Sequence, residues 1–170
     1  MFLLPAVVSL LLSPAPATLT FTPAPAWKPK AVTSMMRIGE YVLPGAEAGD
    51  EDASLVIYFF GGTGGTVQAN IDRWLGQLTQ PDGRRTKDVA QTSSRLINGL
   101  SVTLFDATGT YVAEVTPGST ERLNKPDFRL RAAVIQTPGG PYFIKVVGPT
   151  RSVTRWDREY ESFLQTIQYK

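Results

Sequence analysis

Residues 59–74 read FFGGTGGTVQANIDRW: the end of an apolar strand, a glycine turn, and the start of an amphipathic helix. Upstream, Leu55 to Phe60 is a continuous apolar run, the pattern of a central strand covered on both faces. Downstream, Val67, Ile71, Trp74, Leu75 and Leu78 fall at helical offsets, with Thr66 placed as N-cap and Pro81-Asp82-Gly83 as the stop. A glycine turn feeding a helix N-terminus either leaves backbone N–H groups open to an anion or serves only as a tight connection. The lysine of a phosphate-binding loop is absent, and a dinucleotide fingerprint needs a parallel βαβ unit. The structural role is the favoured reading, and an anion at Gly62 and Gly64 is the alternative.

The sequence further along predicts antiparallel pairing. Val89–Ile97 and Leu100–Asp106 flank Asn98-Gly99, a strong hairpin dipeptide. Phe128–Gln136 and Tyr142–Val147 flank Thr137-Pro138-Gly139-Gly140-Pro141. Between these hairpins the pattern weakens from Ala107: Tyr111 and Val112 fit an extension of the strand, whereas Thr116–Asp127 reads as a polar loop, of a length that is more often functional than incidental. A final helix is predicted from Thr150 to about Ile167, with Pro149 at its start. Its buried stripe is Val153, Trp156, Tyr160, Phe163, Leu164 and Ile167. Before the central strand, Pro23, Pro25 and Pro29 mark an extended lead-in pinned by Phe21 and Trp27, and Arg37–Leu43 alternates as a strand. Hairpins with two amphipathic helices predict an α+β fold, one curved antiparallel sheet with helices packed on it.

Composition narrows the chemistry. A chain of 170 residues fits one domain, here residues 18–170. A formal net charge of +2 is too small to argue for nucleic acid or an anionic membrane as a partner, whose binders carry concentrated basic surface. Cys and His are both absent, which removes disulfides, thiol nucleophiles, Ser-His-Asp triads and Cys/His zinc sites. No cofactor or metal is expected. Asp50, Glu51 and Asp52 lack the spacing of a calcium loop and read as a solvated turn. Residues 1–17 read as a signal peptide: Phe2–Leu12 suits an apolar h-region, and Ala15-Pro16-Ala17 has the small-x-small form of a cleavage site. The n-region carries no Lys or Arg, and a wrongly assigned start or a buried first strand is the alternative. No later segment is long and apolar enough to span a membrane. The expected location is therefore exported, periplasmic or extracellular.

Phe21-x-x-x-Pro25-x-Trp27, the strand order and the closing Ser162-Phe163 resemble PsbP-like domains, the superfamily that includes Mog-type proteins. GGTGG with NIDRW, Thr137–Phe143 and Val147-Gly148-Pro149 resemble uncharacterised exported bacterial proteins. The resemblance covers residues 19–168 and implies an α-β-α sandwich acting as a binding or assembly module. It brings no catalytic residues.

Four sets of residues are candidates for function. Gly62 and Gly64 belong to the turn. Asn70 and Arg73 lie three apart on the first helix, where they frame a ligand or form a structural ion pair. Arg129, Arg131 and Lys145 alternate on paired strands and are expected to form a basic patch, the alternative being a solvated face. Asp106 and Asp127 flank the long loop and would serve a carboxylate-dependent hydrolase. Trp27, Trp74 and Trp156 are assigned to the core. The leading expectation is a non-enzymatic exported domain that binds an unknown protein or small ligand.

Overall fold

The computed structural model describes residues 17–32 and 34–170. The expected signal segment therefore lies outside the described residues except for Ala17. In chain order the elements are β1 (Leu19–Thr20), β2 (Lys28–Pro29), β3 (Arg37–Leu43), β4 (Ala53–Phe59), α1 (Val67–Leu75), β5 (Leu78–Thr79), β6 (Gln91–Ile97), β7 (Leu100–Tyr111), β8 (Lys125–Ile135), β9 (Tyr142–Pro149), α2 (Thr150–Arg155), α3 (Asp157–Gln165) and β10 (Gln168–Tyr169).

The main sheet has the order β2-β3-β4-β9-β8-β7-β5, with β6 also paired to β7, and every pairing is antiparallel. Leu55, Val56 and Ile57 are all buried, as their unbroken apolar run requires of a strand with covered faces. Alternation along the strands sorts side chains to two cores. One holds Leu55, Ile57, Val102, Ala133, Ile135, Ile144 and Val146 beneath Trp156, Tyr160, Phe163 and Leu164 of the C-terminal helices. The other holds Phe105, Leu130, Ala132, Val134 and Phe143 beneath Ile71 and Trp74 of α1. The fold is thus α+β, with helices on both faces of an antiparallel sheet. Phe21 and Trp27 dock the lead-in against Phe163, at ring-centroid distances of 5.8 and 5.3 Å.

Three expectations change. Helix α1 stops at Leu75, capped by Gly76, because glycine has no side chain to pack and the largest backbone entropy to lose. Leu78 stays in the same core, delivered by β5 opposite Tyr111 rather than by the helix. The C-terminal helix breaks at Trp156, whose indole N–H donates to the Pro44 carbonyl at 2.8 Å. Strand reaches into both ends of the stretch from Ala107 to Asp127: β7 runs to Tyr111 and β8 begins at Lys125, with a register shift between Gly109 and Tyr111, while residues 112–124 stay outside the named strands. A side chain at Gly109 would sit 2.6 Å from the Thr79 carbonyl, so glycine permits the edge strand β5 to close on β7.

The two glycine turns meet. Gly61, Gly62 and Gly65 adopt positive φ, at 61°, 86° and 82°. A Cβ on Gly140 would lie 2.5 Å from the Gly62 Cα, and one on Gly64 would lie 2.3 Å from the Phe143 ring. Backbone-to-backbone packing of the 60–65 and 137–141 turns explains this glycine content.

Candidate functional site

The α1 face of the sheet carries a cavity of about 130 Å³ lined by Tyr58, Phe60, Asn70, Arg73, Trp74, Gln77, Phe143 and Lys145. Strand β4 supplies Tyr58 and β9 supplies Phe143 and Lys145, while α1 supplies the polar rim. Lys145 lies across the sheet from Val56 on one side and Ala132 on the other, small apolar neighbours that offer its ammonium nothing. Its Nζ instead donates to Gln77 Oε1 at 2.6 Å and to the Tyr111 hydroxyl at 2.9 Å, and sits 5.2 Å from the Tyr111 ring centroid. Among the described residues no carboxylate pairs with it. Desolvation pushes the Lys145 ammonium down to about 8, since burial disfavours the charged form. The same burial raises the Tyr111 phenol to about 12 and also raises Tyr58.

Glu40, opposite Val56 on the same face, does not serve Lys145. It is buried and already held by Lys30 at 2.9 Å and Arg37 at 2.7 Å. The hydrogen bond from Lys30, aided by Arg37, holds its carboxyl below the usual range against the opposing effect of burial.

Asn70 and Arg73 are brought together as their spacing predicts. Asn70 is buried, and its amide donates to the carbonyls of Gly64 and Thr66 at 2.9 and 2.8 Å. Its Oδ1 accepts from the Arg73 guanidinium at 3.0 Å. Asn70 thus fastens the glycine turn to α1 and orients Arg73, which is exposed at the cavity rim. The Thr66 hydroxyl accepts from the Ala69 N–H at 3.1 Å, as expected of the N-cap.

The expected patch of Arg129, Arg131 and Lys145 does not assemble on one face. Arg131 pairs in register with Val146, so Lys145 points to the opposite side of the sheet. The two arginines lie under α3 in an ion-pair ladder. Arg129 binds Asp106 at 2.6 Å and Asp157 at 3.0 Å; Arg131 binds Asp157 at 2.7 Å and Glu161 at 2.8 Å. The Arg131 guanidinium also stacks 4.3 Å from the Tyr160 ring centroid. The Asp106 hydrogen bonds raise the Arg129 pKa further despite burial, so this face presents matched charges rather than free positive potential.

Asp106 and Asp127 line different cavities. The wide cleft of about 790 Å³ that contains Asp127 also holds the paired Asp82 and Arg84. Every carboxyl with a shifted pKa (Glu40, Asp82, Asp88 and Glu161) is shifted downward, toward the ionised form. In the loop before β4, Asp52 accepts from the Gly45 N–H and Asp50 from the Glu47 N–H, so these acids brace the loop.

Sequence reasoning missed Tyr58, Gln77, Phe143 and above all Tyr111. Tyr111 reads only as a strand extension, because Thr108, Gly109 and Thr110 obscure the strand pattern before it.

The fold and cavity define an antiparallel α+β domain with a half-buried lysine, unpaired with any carboxylate among the described residues, facing an aromatic groove. Comparison with solved structures supports the fold alone. The chain is similar to LpqN, a protein involved in cell envelope biogenesis of Mycobacterium tuberculosis, with a TM-score of 0.55 and 12% identity over 93% of this chain and 86% of that one. It is also similar to PA94 of Pseudomonas aeruginosa, a protein of unknown function described as a putative regulator, with a TM-score of 0.50 and 15% identity over 82% and 94%. No family model and no curated protein sequence matches the chain. Among the described residues no helix is long and apolar enough to cross a membrane.

Proposed function

We propose that this chain is an exported, non-enzymatic domain of the cell envelope that binds the carboxylate end of a small, flat ligand in the α1 groove. The reading keeps the PsbP-like resemblance as a binding-module relationship. It takes Asn70, Arg73 and Lys145 as the ligand-binding set, and leaves Gly62, Gly64, Arg129 and Arg131 to the structural contacts described above.

One observation carries the proposal: the Lys145 ammonium is desolvated beside a cavity and has no carboxylate partner among the described residues. A buried, unpaired charge is unfavourable, and an incoming anion offsets that penalty. The aromatic wall suits a planar body: Tyr58 stacks on Phe60 at 5.9 Å, and Phe60 meets Phe143 at 5.6 Å. A cavity of about 130 Å³ takes one ring or one acid group, not a nucleotide.

Titration with benzoate, monitored by amide shifts, tests this. Shifts at Asn70, Gln77 and Lys145 at millimolar benzoate, weakening as pH rises above about 8 and absent in Lys145→Met, are expected. Unchanged spectra at those residues, or equal binding by the variant, refute it.

A further inference from the structure

One pole of the molecule is built without acids. The strand registers bring five segments to that end: residues 34–36 before β3, the 60–66 turn, the 98–99 hairpin turn, the 136–141 turn, and residues 166–170. None contains Asp or Glu, and Lys170 is their sole charged side chain, with Arg37 adjoining. The opposite pole is rich in acids, with Glu47, Asp50, Glu51 and Asp52 in a single loop.

The acid-free pole is also where apolar surface is exposed. Val32, Met36 and Ile38 are 43%, 51% and 39% exposed, and Met35 is fully exposed at 101%. These four lie within seven residues, whereas isolated exposed apolar side chains are ordinary. Ile38 connects this tip to an apolar cavity of about 510 Å³ that includes Leu19, Phe59 and Tyr142. The Phe59 and Tyr142 rings stack there at 4.3 Å.

From this segregation we infer that the pole rests on an anionic lipid bilayer, with Met35 and Met36 inserted among the headgroups. Charge complementarity selects this occupant. Lys30, Arg37 and Lys170 face the headgroups while Glu40, buried behind the first two, offsets only one of their charges. The five segments that would meet the lipid contain no carboxylate side chain to be repelled. Few cations and a short apolar tip give weak, reversible attachment lying on the surface. The inference is independent of the Lys145 groove.

The absence of cysteine makes the test direct, since Met35→Cys and Glu47→Cys each supply a single labelling site in the full chain. With an environment-sensitive fluorophore and phosphatidylglycerol-containing vesicles, the label at 35 should shift to the blue and the label at 47 should not. Met35→Ser with Met36→Ser should weaken vesicle binding about tenfold or more, from the apolar burial lost. No shift at 35, equal shifts at 35 and 47, or concentration-dependent self-association abolished by the double substitution would overturn the inference; the last assigns the face to a second copy.

Discussion

Replacing Lys145 with Met should make the protein more stable at neutral pH and flatten part of its pH dependence. The ammonium is pushed down from 10.5 to about 8, which corresponds to as much as about 3 kcal/mol of unfavourable desolvation at pH 7. Methionine fills similar space without charge. It also removes the hydrogen bonds to Gln77 and Tyr111, each contributing about 1 kcal/mol. Because Gln77 can turn to water, the net gain should be about 1–2 kcal/mol. The sign with pH follows from proton counting. Below pH 8 both states carry the proton and the penalty is complete. Between pH 8 and 10.5 the unfolded chain binds more protons than the folded one, so wild-type stability rises with pH. Above about pH 10 the raised phenols of Tyr58 and Tyr111 act oppositely, because the folded state then retains protons the unfolded state has lost. Urea unfolding at intervals from pH 7 to 11, followed by tryptophan fluorescence, should show a rise and then a fall for wild type and only the fall for Lys145→Met. A flat wild-type profile between pH 7 and 10, together with a variant no more stable at pH 7, would refute the assignment of an unpaired charge.

Two further outcomes test the scaffold. Asp106→Ala should destabilise by about 2 kcal/mol in urea unfolding, since Arg129, with a side chain only 15% exposed, keeps Asp157 but loses its closest partner; a change under about 0.5 kcal/mol would mark the ladder as mere surface pairing. Gly140→Ala combines φ of 113° with a Cβ 2.5 Å from the Gly62 Cα, and should destabilise by about 2 kcal/mol or more. Calorimetry should register this as a Tm lower by at least about 4 °C.

The fold was legible where local chemistry and tertiary packing agree. Asn98-Gly99 marks its hairpin, Thr66 caps α1, and Val153, Tyr160, Phe163 and Leu164 keep helical spacing across the break. The break itself was hidden because Trp156 is helix-compatible and turns only to reach Pro44, a partner more than a hundred residues earlier. Strand β7 ran past its expected end because Thr108 and Thr110 are polar yet well suited to a strand, and the β5 pairing that uses them is non-local. Of the candidate site, Asn70 and Arg73 were legible because one helix sets their geometry. Whether Lys145 joined them or Arg129 and Arg131 depended on which residue faces which across β8 and β9. A one-residue change of register exchanges the two sides of a sheet, and no local signal fixes it.

A pairing of only two residues bears on how the molecule folds. Leu19 and Thr20 of β1 bond only to Tyr169 and Gln168 of β10, and the Thr18 and Lys170 backbones bond to each other on both sides. The first described strand therefore lacks its partner until Gln168 and Tyr169 are available. Closing so long a loop is entropically unfavourable before the intervening sheet has formed, so this seam should close last and open first. A chain emerging N-terminus first, whether from a ribosome or through a membrane pore, would hold its leading end unpaired throughout. Closure of the seam therefore waits until Gln168 and Tyr169 have emerged.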